Sequence, residues 1–242
     1  MLLAPLAFAL GLTLLAPVPA RHRRPRVTYE DPRDRRPSAT YAAMGKAACL
    51  RELGARKIPF SKVEKAPGVI VPVRLTGPVA GVTYRTDAPD FERAQSPAEV
   101  FDCRLVLALA DLSKLLVARG IDEVRIASAW RPSKRARPGK QGNRHAGGLA
   151  VDLMRFGKKP LPGEATRRWI SIASDFHGRI GDRVCAAPSR PLSASAKELR
   201  TIACEAHARK IFTSILTPDY DRAHRDHLHV EIRPGVDWSL IL

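Results

Sequence analysis

Hydrophobic positions recur along this chain with two periods, and each change of period marks a predicted element. Leu105, Leu109, Leu112 and Leu116 fall on one helical face, with Gly120 where a stop is expected, so the central core helix is predicted there. Its start is predicted at Ser96-Pro97-Ala98-Glu99: a capping residue, a proline at the first helical position and a glutamate at the third. An Ala-rich stretch over 41–53, YAAMGKAACLREL, predicts an earlier helix closed by Gly54 as C-cap. Ser195, three residues before Glu198, predicts a further helix that runs past Cys204 to about Phe212. Residues 69–84 have β-branched runs broken by Pro72, Gly77, Pro78 and Gly81, which predicts two short edge strands around a turn. Further strands are predicted over 123–128, 149–156 and 228–232. Between the first two of these lies a strongly basic loop, from Ala129-Trp130-Arg131-Pro132 to Asn143.

Composition adds an address and a boundary. Residues 2–20 carry no charge, are dominated by Leu and Ala, and end in Val18-Pro19-Ala20, a small-residue cleavage pattern. Residues 1–20 therefore read as a signal peptide, with an uncleaved membrane anchor as the alternative, and either implies an exported protein, periplasmic or secreted. Residues 21–40 form a basic linker: over 21–36 seven Arg face three acids without apolar periodicity, which is the composition of a disordered tether. Residues 41–242 remain for one globular domain, and a chain that is 45% hydrophobic can bury one sizeable core. Four cysteines, Cys49, Cys103, Cys185 and Cys204, suit two disulfides in an oxidising compartment, and none has the C-x-x-C spacing of a thiolate zinc site. Three pairings are possible; Cys49 with Cys103 and Cys185 with Cys204 is favoured because it keeps each loop local. The net charge of +17 predicts affinity for polyanions. For an exported protein an anionic cell-wall polymer or membrane surface fits better than nucleic acid, for which interleaved aromatics are missing.

The candidate chemistry lies in two segments. In HAGGLAVD, His145 precedes Asp152 by seven residues, and Gly147 and Gly148 allow a tight turn to bring the imidazole beside a strand that presents Asp152. Strand alternation turns Ala150 and Asp152 one way and Leu149, Val151 and Leu153 the other. In HRDHLHVEI, His227, His229 and Glu231 share one strand face, while Leu228, Val230 and Ile232 hold the opposite one down. Two imidazoles and a carboxylate on a divalent ion leave one tetrahedral position open, the arrangement that activates water and polarises a carbonyl. Imidazole would also suit copper or nickel. His22, His177 and His207 read as surface residues.

These motifs resemble H-x-x-G-x-A-x-D followed by a distant H-x-H in zinc peptidases of bacterial cell walls, a group of D-alanyl-D-alanine peptidases, lysostaphin-type enzymes and the hedgehog signalling domain. The chain is more closely similar to the extensin-like C-terminal domain family, through DCRLVLALA from Asp102, Ala203-Cys204, and His224-Arg225-Asp226-His227-Leu228-His229. The resemblance runs over about 41–236. It implies zinc held by His145, Asp152 and His229. It further implies His227 as a catalytic partner, His224 as an additional site histidine, and Arg131 as a ligand for a substrate carboxylate or carbonyl oxygen. Two departures stand out: Asn143 replaces the Ser that commonly opens the first motif, and no Glu precedes H-x-H. The general base therefore lies among His224, His227 and Asp226, with Glu231 as an orienting group.

The expected fold is α+β, a small antiparallel sheet bearing the zinc site with helices on its opposite face, as in hedgehog and D-Ala-D-Ala peptidases. The expected function is zinc-dependent hydrolysis of D,D- or L,D-type peptide bonds in peptidoglycan stems or cross-links, by a monomer. The alternative is a zinc-stabilised wall-binding or signalling module without turnover.

Overall fold

The computed structural model describes residues 37–133, 144–160, 162–188 and 190–242. The signal peptide, most of the basic linker, His22 and the basic loop from residue 134 to Asn143 lie outside the described residues. Helix α1 (Pro37–Ala42) starts inside the stretch assigned to the linker. Tertiary contacts order it: Ser38 and Tyr41 are buried, and the Tyr41 hydroxyl meets Asp111 at 2.5 Å and Arg56 at 2.9 Å. α2 (Lys46–Ala55) is a separate helix with Gly45 as its extended N-cap, so the single helix predicted over 41–53 is broken at 43–45. Gly54 lies inside α2. The left-handed residue that ends the helix is Lys57 (φ 54°), after which Ile58 N–H bonds back to Leu53 O at 3.0 Å and buries its side chain.

Strands β1 (Phe60–Lys62), β2 (Pro72–Leu75) and β3 (Thr83–Arg85) follow. The two strands expected over 69–84 exist, but they do not pair with one another: β2 joins a three-stranded sheet, whereas β3 runs parallel to a strand of the main sheet. Burial decides this, because Val79 and Val82 are wholly buried and carry the connection through the core.

After α3 (Asp90–Arg93), Ser96 caps only a 3-10 turn, Pro97–Glu99, its Oγ accepting from Ala98 N–H at 3.1 Å. Glu99 bonds instead to Thr86 and Arg93, and the chain continues as β4 (Val100–Asp102) against β2. The long helix α4 (Cys103–Val117) therefore begins later than predicted, capped by Asp102, which accepts from Arg104 N–H at 3.0 Å. Pairing of the buried Val100 and Phe101 in a sheet outweighs a local capping signal. Leu105, Leu109, Leu112 and Leu116 are all buried, as their spacing predicts.

Strands β5 (Ile121–Ile126) and β6 (Ala150–Lys158) come next, then β7 (Trp169–Ser171), α5 (Ile172–Asp175), α6 (Ala194–Ala208), β8 (Ser214–Leu216), β9 (Leu228–Glu231) and β10 (Leu240–Ile241). Ser193, not Ser195, caps α6, and a left-handed Lys210 (φ 53°) ends it before Phe212. The main sheet has seven strands in the order β10-β8-β9-β6-β5-β3, with β7 also on β6. The α+β expectation holds, but the sheet is larger than expected and mixed: β10–β8 and β3–β5 are parallel pairs around antiparallel centre strands. Val151, Leu153, Val230 and Ile232 share one core with α4 and α6, which leaves the other side of β6 and β9 for polar groups. The disulfides are Cys49–Cys103, joining α2 to α4, and Cys185–Cys204, joining the 172–194 connection to α6. Two disulfides are compatible with an extracellular location, and no helix among the described residues is long and apolar enough to cross a membrane.

Candidate metal centre

Central strands β6 and β9 are antiparallel neighbours, and their register sets Asp152 directly across from His229 and Ala150 across from Glu231. Opposed residues on one sheet face hold their side chains close, so pairing alone brings one carboxylate and one imidazole together. His145 arrives from the 3-10 turn Arg144–Gly147. The chain can turn from there into β6 because Gly148 is left-handed (φ +64°) and lies against β4: its carbonyl accepts from Asp102 N–H, and a Cβ would come within 2.8 Å of that nitrogen.

His145 Nε2, Asp152 Oδ1 and His229 Nδ1 form a nearly equilateral triangle with edges of 3.1, 3.2 and 3.0 Å. Ligand atoms about 2.0–2.1 Å from a tetrahedral zinc stand about 3.3–3.4 Å apart, so a small outward shift separates this triangle from a coordinating one. Among the described residues these three form a group able to hold a metal ion, with His145 and Asp152 almost wholly buried.

Hydrogen bonds on the far side of each imidazole fix which nitrogen is bare. His145 Nδ1–H donates to Ala129 O at 2.7 Å, which leaves Nε2 as an acceptor facing the triangle. His229 Nε2–H donates to Glu231 Oε2 at 3.4 Å, and Glu231 also accepts from Ser214 Oγ at 2.9 Å. With both rings neutral, three acceptor atoms thus converge in a largely buried space, an arrangement that a shared proton or a bound cation relieves.

The electrostatics agree. Burial alone would raise the Asp152 carboxyl, yet hydrogen bonds from His145 and His229 and the charges of His145 and His227 hold it well below the usual carboxylate range. Burial alone would lower His229, but Asp152 and Glu231 lift it to about 9. Glu231 is held low in turn, burial being outweighed by its bonds from His229 and Ser214 and by the charges of His229 and Arg144. In the metal-free protein the triangle draws a proton to the place where a metal would bind.

The remaining predicted residues surround this triangle. His227 Nδ1 lies 2.8 Å from Asp226 Oδ1, and its Nε2 lies 3.5 Å from Asp152 Oδ1. Asp226 is therefore behind His227, not at the centre. His224 packs against His227 and His229 with ring centroids 5.1 and 5.8 Å apart. Arg131 is half exposed and sets Nη2 3.3 Å from Asp152 Oδ2. The two groups that sequence reasoning missed are Asp221, whose Oδ1 lies 2.7 Å from His224 Nδ1, and the Ala129 carbonyl. The Asp-x-x-His spacing before the turn could have revealed Asp221; nothing in the side-chain pattern could reveal a backbone carbonyl. Of the histidines read as surface, His177 is exposed, whereas His207 is half-buried with Nδ1 3.1 Å from Ser239 Oγ.

The family described as extensin-like protein C-terminus matches the chain over residues 47–240, a span that holds the triangle, the surrounding histidines and both disulfides. No curated protein and no solved structure matches the chain significantly.

Proposed function

The chain belongs to the extensin-like protein C-terminus family, and we propose that it is a zinc-dependent hydrolase of peptide bonds in cell-wall peptidoglycan. The observation that carries this reading is the triangle of two imidazole nitrogens and one carboxylate oxygen with edges of 3.0–3.2 Å, flanked by a carboxylate–imidazole pair. Two imidazoles and one carboxylate suit zinc, and the resemblance of residues 145–152 and 227–229 to wall-peptidase motifs supplies the substrate class. An ion bound there would supply Lewis acidity at an open coordination position.

The residues of the chain divide the remaining work. His145, Asp152 and His229 hold the ion, with Ala129 O and Glu231 fixing the two imidazole tautomers. Asp226 holds His227 by Nδ1–H, so Nε2 is the bare nitrogen on the side of Asp152. That nitrogen takes the proton from the attacking water and returns it to the leaving amine. Arg131, whose side chain is about half exposed, meets an anionic group of the peptide. Digestion of muropeptides by the purified protein, with and without chelator, tests this reading. His229→Ala is expected to lose metal and activity together, and a fully active variant would overturn the ligand assignment. His227→Ala is expected to keep its metal and to lose about 10²–10⁴ in kcat.

One observation favours a second reading, a zinc-stabilised wall-binding module without turnover: Arg131 is paired with Asp152 itself. Under that reading the protein binds one equivalent of zinc, melts at lower temperature when chelated, and cuts no wall peptide.

A further inference from the structure

Behind the histidines lies a cleft of ≈ 390 Å³, within the size range of small-ligand sites. Its buried floor includes Ile172 and Pro218. Asp221 and Asp226 line it as well, and these are the two carboxylates that hold His224 and His227 by Nδ1, at 2.7 and 2.8 Å. One imidazole ring therefore separates the cleft from the ligand triangle. Asp221 is committed further, since its Oδ1 also accepts from Ala223 N–H and His224 N–H.

Arg222 and Arg225 also line the cleft, both exposed, and neither guanidinium has a partner among the described residues. The arginines nearer the sheet differ: Arg85, Arg125, Arg155 and Arg167 are all taken up by Asp or Glu. His177, in a left-handed conformation (φ 53°), lines the cleft too, and the next residue must be small, because a Cβ at Gly178 would lie 2.5 Å from Pro218 Cβ. Local strain of this kind persists where surrounding contacts over-determine it, and here it shapes the cleft wall.

We propose that this cleft is a substrate subsite that takes a carboxylate on a short aliphatic stem, the acidic residue of a peptide, with Arg222 and Arg225 binding the carboxylate and the apolar floor taking the stem. Guanidinium groups recognise carboxylates by charge-assisted, often bidentate hydrogen bonds, and Ile172 and Pro218 offer apolar contact to a stem that an inorganic anion lacks. The proposal rests on the peptide-hydrolase reading above and extends it to a second anchoring point, on the far side of the histidines from Asp152.

The test measures binding, independently of turnover. The full-length zinc-loaded protein is titrated calorimetrically with acetyl-Ala-Glu-Ala bearing free carboxylates, and with the same peptide amidated at both carboxyl groups. Arg222→Gln/Arg225→Gln is expected to weaken the acidic peptide by about tenfold or more and to leave the amidated peptide unchanged. Zinc content and melting temperature, expected to match the parent, separate loss of the subsite from loss of the fold. Equal affinity of variant and parent for the acidic peptide overturns the proposal, as does failure of the parent to prefer it over the amide. If binding follows the prediction while muropeptides are never cut, the subsite stands and the hydrolase reading falls.

Discussion

His227 and His229 lie two residues apart on one side of the chain, yet the structure gives them different partners. His229 sits opposite Asp152 in the β6–β9 ladder and is pinned by Glu231, whereas His227 precedes the strand and leans on Asp226. Their shared face was legible because period-2 alternation separates them from Leu228 and Val230; their division of labour was not, because it depends on cross-strand neighbours. Glu231→Gln removes the charge that orients and polarises His229, and is expected to weaken zinc affinity about 10–100-fold, read by competition with a chromogenic chelator. The raised His229 also predicts a pH dependence. In the metal-free fold its pKa is about 9 against 6.5 for the unconstrained side chain, so the folded state holds a proton that the unfolded chain releases. That stabilisation is complete below about pH 6.5 and is lost as pH rises through about 9. Chelated protein should therefore melt at progressively lower temperature across this window. Zinc bound as proposed would need the same nitrogen deprotonated, so any rise in melting temperature on adding zinc should grow over the same range. A flat profile in chelator would contradict the assigned contacts.

Elements were legible where apolar period and burial agree, as in α4 and the core faces of β6 and β9, and misread where a local signal competes with a tertiary partner. Ser96 is a genuine cap, but of a 3-10 turn, because Val100 and Phe101 pair with β2 in place of continuing a helix. Lys57 and Lys210 end their helices in a conformation that favours glycine, so the glycine rule pointed to Gly54 instead. The turn at Gly148 is the element on which the proposed metal centre depends most. Gly148→Ala is expected to destabilise the protein by about 2 kcal/mol or more, since it adds a left-handed L-residue and a clash with Asp102 N. The same change displaces His145, so reduced zinc stoichiometry in the folded variant should accompany the loss in a urea titration.

At the scale of the molecule, two disulfides close loops of 54 and 19 residues. By loop-closure entropy, Cys49→Ala/Cys103→Ala is expected to cost roughly 4 kcal/mol and Cys185→Ala/Cys204→Ala roughly 3 kcal/mol, measured by chemical denaturation. Only the first pair is expected to weaken metal binding as well, because Cys103 follows Asp102, whose N–H supports the Gly148 turn. The pairing was favoured in the sequence by loop length alone, and spatial proximity of α2 to α4, and of the 172–194 connection to α6, is what selects it. By itself the sequence determined what is local and periodic: which face of each central strand is polar, which leucines line the core helix, and which histidines and aspartate belong together by motif and spacing. Tertiary structure alone decided what depends on distant partners: that β2 and β3 part into different sheets, that Asp152 and His229 oppose each other, and that Ala129 O turns the His145 ring. It also decided that Asp221 and Asp226 stand between the histidines and a cleft. Each of these is set by hydrogen bonding and burial between residues far apart in the chain, energies that no local pattern of side chains encodes.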